Sequence, residues 1–311
     1  MRVGVIGVGS MGKHHARVYS ELSGVELTGI ADTNKEIADH LAEKYDTKAF
    51  VNYKELLNQD IDAVSIAVPT TLHKKVTLDC MEHGVDVLIE KPIADTLENA
   101  HDIKRKAEKE DIKVMIGHIL RFHPVIEKTK EMVESGSFGE VVSITAKRVG
   151  PYNPRIRDVG IITDLGVHDI DIISYLYNDE IESVYACAGS VLHSFEDHAN
   201  ILLKFKNGHA GSIETNWLTP HKIRLMTLVG NEGIASVDYI SSSITVYNET
   251  EERDIDVEKK EPLKNELEHF VDCVKNNRNP LVAAKEGINA LNIALLSIRS
   301  YKENKIIKIS D

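Results

Sequence analysis

The opening stretch of the chain, RVGVIGVGSMGKHH at residues 2–15, constrains the fold more than any other segment. An apolar run, Val3–Ile6, is followed by glycines at positions 7, 9 and 12 and then by a segment that can be helical. In this order a buried strand ends in a tight turn, the second glycine lets a pyrophosphate approach the backbone, and the third lets the helix pack closely on the sheet. The N–H groups at the start of that helix then face the phosphates. The stretch predicts a dinucleotide site formed by Gly7, Val8, Gly9, Ser10, Met11 and Gly12.

A second strand, predicted for VELTGIAD, ends at Asp32, twenty positions after Gly12. A carboxylate in that position accepts hydrogen bonds from the adenosine ribose hydroxyls and repels a 2′-phosphate. No arginine follows directly in ADTNKE, so NAD is favoured over NADP, with Asp32 and Thr33 near the ribose. The alternative for Asp32 is a cap of the next helix and nothing more.

Strands and helices alternate through the rest of the first 119 residues. The strands are nearly continuous apolar runs, which is typical of a parallel sheet covered by helices on both faces. Ligands of such sheets bind at the carboxyl ends of the strands. The strand DAVSIAVP therefore adds Val68, Pro69, Thr70 and His73 to the predicted cofactor site. We expect residues 1–119 to form a Rossmann domain of the α/β class.

The next strand, DVLIEKP, runs directly into Glu90, Lys91 and Pro92. A lysine at the carboxyl edge of a Rossmann sheet lies near the expected position of a nicotinamide ring. Pro92 restricts Lys91 to an extended backbone conformation. We therefore predict that Glu90 and Lys91 contact the cofactor and that Lys91 is a candidate catalytic residue. An ordinary solvated lysine at a strand end is the alternative.

The pattern changes after residue 119, where several long strands follow one another without intervening helices. Turns of the hairpin type separate them at Asn207-Gly208 and at residues 230–233. This pattern predicts an open antiparallel sheet in an α+β domain that covers residues 120–311. Two helices, at roughly 262–278 and 283–304, are predicted near its end.

A segment of this second domain carries a group of titratable side chains. If the segment from Asp164 is α-helical, then Asp164, His168, Asp171 and Tyr175 follow the spacing i, i+4, i+7, i+11 and share a narrow stripe. Such a stripe can simply be the solvent face of a helix. The apolar residues around these interleaved titratable groups instead favour a functional cleft.

The loop before this helix holds Arg148, Tyr152, Arg155 and Arg157 in an otherwise acidic protein. Guanidinium groups on a loop stiffened by prolines suit bidentate binding of phosphate or carboxylate. We therefore predict that these four residues, with Asp171, bind the substrate. Surface salt bridges to neighbouring acids are the alternative.

Composition argues against several other functions. A net charge of −12 at pH 7 disfavours an extended nucleic-acid surface, because phosphate binding needs clustered lysine and arginine. The histidines and cysteines show neither H-E-x-x-H nor C-x-x-C spacing, so no metal site is predicted. No apolar run reaches the length of a membrane span, and Met1 and Arg2 lead directly into a strand. We expect a cytoplasmic protein that binds neither nucleic acid nor membrane.

Three motifs in order make the chain recognisable: GVIGVGSMG from residue 4, EKP at residues 90–92, and D-x-G-x-H-x-x-D at residues 164–171. Along essentially its whole length the chain resembles the Gfo/Idh/MocA family of nicotinamide-dependent sugar oxidoreductases. The resemblance implies a Rossmann domain followed by an open antiparallel sheet that carries the substrate site and builds homodimers or homotetramers. It also implies that Lys91, Asp164 and His168 are catalytic, and that hydride passes between a sugar or cyclitol carbon and the nicotinamide.

The segment RVGPYNPRIRDVG looks like the branch of this family that oxidises UDP-N-acetylglucosamine, or its uronic acid, at C3. A UDP-sugar is therefore the expected small-molecule substrate. A dehydrogenase of a free polyol or sugar, of the inositol or glucose type, is one alternative and would make the arginines incidental. A non-catalytic NAD-binding regulator is another, although such a protein would not need Lys91, Asp164 and His168 together.

Overall fold

The structure, a computed structural model, describes residues 1–152 and 159–309. The chain divides into two compact units. The first contains Met1–Ile119 together with Glu261–Ile288, and the second contains the residues from Leu120 to Lys260 and from Asn289 onward. The sequence interpretation had assigned all of residues 120–311 to the second domain, so the segment 261–288 is a departure from it.

The first unit is built on a parallel sheet with six strands in the described residues, in the order β3-β2-β1-β4-β5-β6. The strand order reverses between β1 and β4, and ligands of open α/β sheets bind at such a switch point, beyond the carboxyl ends of the strands. This confirms the α/β fold predicted for the first part of the chain. The strands are β1 Arg2–Ile6, β2 Glu26–Ala31, β3 Lys48–Phe50, β4 Ala63–Ile66, β5 Asp86–Glu90 and β6 Val114–Gly117.

Helices connect the strands of this sheet and cover it. Three of them begin at a side chain that accepts a hydrogen bond from the helix backbone, namely Asn34, Asn52 and Thr96, and this local capping marks where each helix starts. The helices of the first unit are α1 Gly12–Glu21, α2 Lys35–Lys44, α3 Tyr53–Leu57, α4 His73–Glu82, α5 Leu97–Glu110 and, much later in the chain, α8 Pro262–Lys275.

Helix α8 belongs to the first unit because its apolar face packs there. Leu263, Leu267 and Phe270 on this face are buried, and α8 contacts α1. After the helix, the backbone N–H of Ile116 in β6 donates to the carbonyl oxygen of Val282 at 2.9 Å. These long-range contacts bring a late segment of the chain back to the Rossmann sheet.

The second unit is built on a mixed sheet with nine strands in the described part of the chain, in the order β14-β13-β12-β11-β7-β10-β9-β8-β15. The two predicted hairpins are present, since β9 pairs antiparallel with β10 and β11 with β12. The sheet is not entirely antiparallel, because β7 and β10 pair in parallel. The strands are β7 Val141–Pro151, β8 Ile181–Gly189, β9 His198–Phe205, β10 Ala210–Asn216, β11 Leu218–Gly230, β12 Ile234–Asp238, β13 Ser243–Tyr247, β14 Glu252–Ile255 and β15 Ile307–Lys308.

Helices α6 Pro124–Glu134 and α7 Val167–Tyr177 belong to the second unit, and α9 Ala284–Glu303 ends in it. Side chains from these helices and from alternate positions of the strands form one buried core, which includes Ile126, Ile173, Leu203 and Ile293. Alternation of buried and exposed residues along β9 and β10 shows that a single face of the sheet is buried there. Among the described residues, no helix has the length and apolar character needed to cross a membrane.

Candidate active site

The glycine loop follows β1, and two of its three glycines, Gly7 and Gly12, are required sterically by the protein itself. Gly7 has a φ of +84°, and a Cβ there would lie 2.7 Å from the carbonyl oxygen of Ala67. A Cβ on Gly12 would collide with the carbonyl oxygen of Gly7. Gly9 is exposed, and a Cβ there would meet no described atom within 4 Å. The loop is therefore closed on the sheet side and open at Gly9, as a cradle for a phosphate requires.

Helix α1 begins directly after this loop. In the described structure its N-cap, Met11, makes no side-chain capping hydrogen bond. The N-cap side chain therefore does not occupy the N–H groups at the start of the helix. Ser10 is exposed and Met11 half-buried, whereas the side chain of Val8 is buried, so only the backbone of Val8 is placed to take part.

Asp32 lies immediately beyond β2 and is half-buried. Its Oδ2 accepts the backbone N–H of Val8 at 2.8 Å, and its Oδ1 accepts the backbone N–H of Asn34 at 2.8 Å. These bonds fix the carboxylate beside the glycine loop. Each oxygen keeps a second lone pair, which can accept a ribose hydroxyl. Thr33, next in the chain, is exposed.

A cleft of about 570 Å³ opens beside Gly9 and Ser10 on the side of α2. Its mostly apolar lining suits the adenosine half of a dinucleotide. The sequence interpretation missed the contributions of Lys13, Ile37, His40 and Leu41 to this lining. The available signal was the helical spacing of residues 37, 40 and 41, which places them on one face of the helix that follows Asp32.

At the carboxyl end of β4, Val68 and Thr70 are half-buried and Pro69 is exposed, so these residues are accessible to a ligand. His73 is different, and its predicted role as a cofactor contact needs correction. The imidazole is 1% exposed, with Nδ1 2.9 Å from the carbonyl oxygen of Pro92 and Nε2 3.0 Å from that of Val68. Burial lowers the pKa of His73. The residue joins two loops at the sheet edge and is not accessible to a ligand.

Glu90 is the last residue of β5, and Lys91 follows it in a half-buried turn. Glu90 Oε2 accepts the backbone N–H of Lys91 at 3.2 Å, and Oε1 lies 3.0 Å from Nε2 of His15. Burial alone would raise the pKa of Glu90, but the hydrogen bond and charge of His15, with the charge of Lys91, hold it below its ordinary value. The carboxylate is thus kept ionised at the base of the lysine turn.

A chain of buried polar side chains extends inward from Glu90 and begins with His15. The sequence alone did not reveal it. Nδ1 of His15 lies 3.0 Å from Oγ of Ser65, and the same Oγ lies 2.8 Å from the hydroxyl of Tyr19. The side chains of His15, Ser65 and Tyr19 are fully buried. Burial also raises the pKa of Tyr19, so its hydroxyl keeps its proton.

In the second unit, Asp164 lies in a π-helical turn, Ile162–Gly166, and His168 lies in the first turn of α7. Both side chains are half-buried. The predicted α-helical stripe therefore needs correction at its start, because the wider π turn changes the angle between Asp164 and the residues that follow. Single π turns inserted in helices are frequent at functional sites.

Two buried ion pairs hold α7 in place and revise two predicted substrate contacts. Arg148 in β7 makes a bidentate pair with Asp169, with both N–O distances 2.7 Å. Arg121 makes a bidentate pair with Asp171 at 2.9 and 2.6 Å. All four residues are at most 6% exposed. Arg148 and Asp171, predicted to bind substrate, therefore position β7 and α7 from within the unit.

Of the remaining predicted substrate contacts, Tyr152 is half-buried, with its ring 5.1 Å from that of His193 and 5.6 Å from that of Trp217. Arg155 and Arg157 lie outside the described residues.

The sequence interpretation did not single out Arg224, which is half-buried in β11. Burial and the charge of Arg148 lower the pKa of Arg224 to about 10, while the charge of Asp164 acts in the opposite direction. In residues 1–152 and 159–309, no three His, Cys, Asp or Glu side chains are grouped to hold a metal ion.

Comparison with known proteins gives the family. The model of the oxidoreductase family with an NAD-binding Rossmann fold matches residues 1–118, and that of the GFO/IDH/MocA C-terminal domain matches residues 126–236. UDP-N-acetylglucosamine 3-dehydrogenase of Acidithiobacillus ferrooxidans is 30% identical over 95% of both chains, and a solved structure of that enzyme matches with a TM-score of 0.92 over 97% of this chain and 98% of the other. The NAD-dependent scyllo-inositol 2-dehydrogenase of Bacillus subtilis is 25% identical over 99% of this chain and 96% of its own. The chain is therefore an oxidoreductase of the GFO/IDH/MocA family with an NAD-binding Rossmann domain.

Proposed function

We propose that the protein oxidises the C3 hydroxyl of UDP-N-acetylglucosamine, or of its uronic acid, to a ketone with NAD as the hydride acceptor. The observation that carries this proposal is the 30% identity, over 95% of both chains, to an enzyme named UDP-N-acetylglucosamine 3-dehydrogenase. The charged residues of the EKP and D-x-G-x-H-x-x-D motifs are present in this chain as candidates for the chemistry.

The described residues of the first unit fit NAD. Gly9 leaves open space, the start of α1 lacks a side-chain cap, Asp32 keeps free lone pairs, and a cleft of suitable size lies beside them. When bound, NAD accepts hydride from the substrate carbon at its nicotinamide ring. A carboxylate that holds two ribose hydroxyls repels a 2′-phosphate, so Asp32 supports NAD over NADP.

In the proposed mechanism, His168 accepts the hydroxyl proton as the substrate carbon loses hydride, because imidazole changes its charge near neutral pH. Lys91 donates a hydrogen bond to the same oxygen and stabilises its developing negative charge. Asp164 orients the sugar or the imidazole. The alternative is that Lys91 is itself the base that accepts the hydroxyl proton.

Replacing Asp32 with asparagine tests the assignment of the cofactor. The variant keeps the shape of the side chain but removes its charge, so NAD loses a charge-assisted hydrogen bond and NADP loses a repulsion. We expect the ratio of the Kd values for NADP and NAD to fall roughly ten- to a hundredfold. Binding titrations measure both constants, and Asp39→Asn on α2 is the matched control. An unchanged ratio would show that Asp32 does not select the cofactor.

The substrate is tested by following the absorbance of reduced nicotinamide with UDP-N-acetylglucosamine, its uronic acid, inositol and glucose. A signal with a UDP-sugar alone supports the proposal. A signal with inositol or glucose alone contradicts it and favours a free-polyol dehydrogenase. Silence throughout, with NAD found in the purified protein, would indicate a bound cofactor that an oxo-acid reoxidises.

Replacing Arg155 and Arg157 together with alanine tests how a UDP-sugar is held. Each hydrogen bond from a charged group to a phosphate contributes about 1.5–3 kcal/mol, so we expect KM for the UDP-sugar to rise roughly a hundredfold or more. We expect kcat to change far less, because the phosphates are remote from the reacting carbon. Arg253→Ala, on the exposed strand β14 of the same unit, is the control. Equal activity of the wild type on free sugar and UDP-sugar would contradict a phosphate-binding role.

A free-polyol dehydrogenase is the second candidate function. It is favoured by the 25% identity to scyllo-inositol 2-dehydrogenase, which extends over nearly the whole of both chains. The pairing of Arg148 with Asp169 also removes one arginine from the predicted contacts of a nucleotide sugar. The substrate panel separates the two candidates.

A further inference from the structure

Glu266 is an anomaly in the first unit. The side chain lies on the inner face of α8 and is 0% exposed. Neither of its carboxyl oxygens has a hydrogen-bond partner within residues 1–152 and 159–309. An ionised carboxylate without a partner is very costly to bury, whereas a neutral carboxylic acid costs far less. Burial, and then the negative charge of Glu90, raises the pKa of Glu266 well above its ordinary value.

The charged groups around Glu266 explain which of the two carboxyl groups is ionised. Glu90, at the end of β5, and Tyr19, in α1, both interact electrostatically with Glu266. Glu90 accepts from the Lys91 backbone and from His15, whereas Glu266 has no such donors among the described residues. A buried carboxyl group without donors is neutral at far lower cost than it is ionised, and the negative charge of Glu90 adds to that preference. The proton therefore resides on Glu266 and the charge on Glu90.

The hydrogen bonds that connect Tyr19, Ser65, His15 and Glu90 can all be assigned in one direction, toward Glu90. If the Tyr19 hydroxyl donates to Ser65 and Ser65 donates to Nδ1 of His15, then Nε2–H of His15 donates to Glu90. Every group in this chain then has one role. The chain thus directs a donor toward Glu90.

We propose that Glu266 is protonated and neutral at neutral pH, and that the negative charge held on Glu90 favours binding of oxidised over reduced cofactor. This rests on the proposed function, in which the nicotinamide lies near Lys91. The oxidised ring is cationic and the reduced ring is neutral, so a carboxylate in a poorly solvated site stabilises the oxidised form selectively.

Unfolding measurements on the cofactor-free full chain test whether Glu266 is protonated in the native state. In the unfolded chain Glu266 ionises at its ordinary pKa, so the native state holds one proton more than the unfolded state at neutral pH, and stability falls as pH rises. Relative to Glu266→Gln, the unfolding constant of the wild type should therefore increase about tenfold for each pH unit above the ordinary pKa of a glutamate, until the buried carboxyl group itself ionises. Glu268 is an exposed site on the same helix, so the unfolding constant of Glu268→Gln should depend on pH as that of the wild type does.

The proposal would be overturned if the unfolding constants of the wild type and of Glu266→Gln depended on pH in the same way. Should the glutamine variant not fold, Glu266→Met is the substitute, because it fills a similar volume without a polar group. An infrared spectrum adds an independent readout, since the carbonyl stretch of a protonated carboxylic acid should be present in the wild type at neutral pH and absent in the variant. Absence of the band in the wild type would also overturn the proposal.

Cofactor titrations test the second claim of the proposal, that the charge of Glu90 favours oxidised cofactor. Calorimetry measures the Kd of NAD, and cofactor fluorescence measures that of NADH. In Glu90→Gln the ratio of the Kd values for NADH and NAD should fall about tenfold, as expected for loss of a nearby charge in a partly polar medium. In Glu266→Gln the ratio should stay near that of the wild type, because a neutral amide replaces a neutral acid. An unchanged ratio in Glu90→Gln overturns the inference alone, whereas failure of the wild type to bind either cofactor overturns the proposed function.

Discussion

Replacing Lys91 with methionine should lower kcat for sugar oxidation by about a hundredfold to a thousandfold. The proposed role of the ammonium group is to stabilise negative charge on the substrate oxygen as hydride leaves. Methionine keeps much of the length and apolar stem of lysine but can neither donate a hydrogen bond nor carry charge. The measurement is kcat and KM with the substrate that the panel identifies, together with the Kd of NAD.

The matched control is Lys109→Met, at an exposed position on α5, and it should leave kcat unaltered. A Lys91→Met variant that raised KM but kept kcat would show that Lys91 only binds the substrate. The base is then identified from His168→Asn. If this variant keeps the wild-type rise of kcat with pH near neutrality, His168 is not the base and Lys91 takes that role.

Replacing Asp169 with alanine should reduce the free energy of unfolding by about 3–5 kcal/mol. Arg148 is 6% exposed and depends on Asp169 for two hydrogen bonds. The variant leaves a buried guanidinium without its counterion, and this uncompensated charge is the main cause of the loss. Chemical denaturation followed by circular dichroism measures the effect.

Glu214→Ala is the control, because it breaks an ion pair with Lys147, the neighbour of Arg148 in β7. That pair is about 40% exposed at both side chains, so its loss should cost no more than about 1 kcal/mol. A double variant, Arg148→Met with Asp169→Leu, should recover much of the lost stability, since apolar side chains of similar volume can replace a buried pair. If Asp169→Ala destabilises no more than Glu214→Ala, the pair does not hold α7 as the structure indicates.

Local sequence determined those features of the protein that depend on interactions between residues close together in the chain. The glycines at positions 7, 9 and 12 follow a strand directly, and the steric limits on Gly7 and Gly12 act within that turn or on the adjacent strand end. Continuous apolar strands predicted the parallel sheet of the first unit, and Asn207-Gly208 predicted a hairpin that the structure contains. Asp32 could be placed because its distance from the glycine loop is fixed by one helix and one strand.

The tertiary structure alone decided which polar residues are accessible and which are paired within a unit. His73, Arg148 and Asp171 looked available for ligands in the sequence, yet each is buried with its own partners. Glu266 looked like one more acid on an amphipathic helix, because periodicity predicts that a position is buried but not what it is buried against. Its burial and its electrostatic interaction with Glu90 depend on α8 packing in the first unit, a long-range contact that carries no local signal. Pairing of distant charges is fixed by packing, and packing is a property of the whole fold.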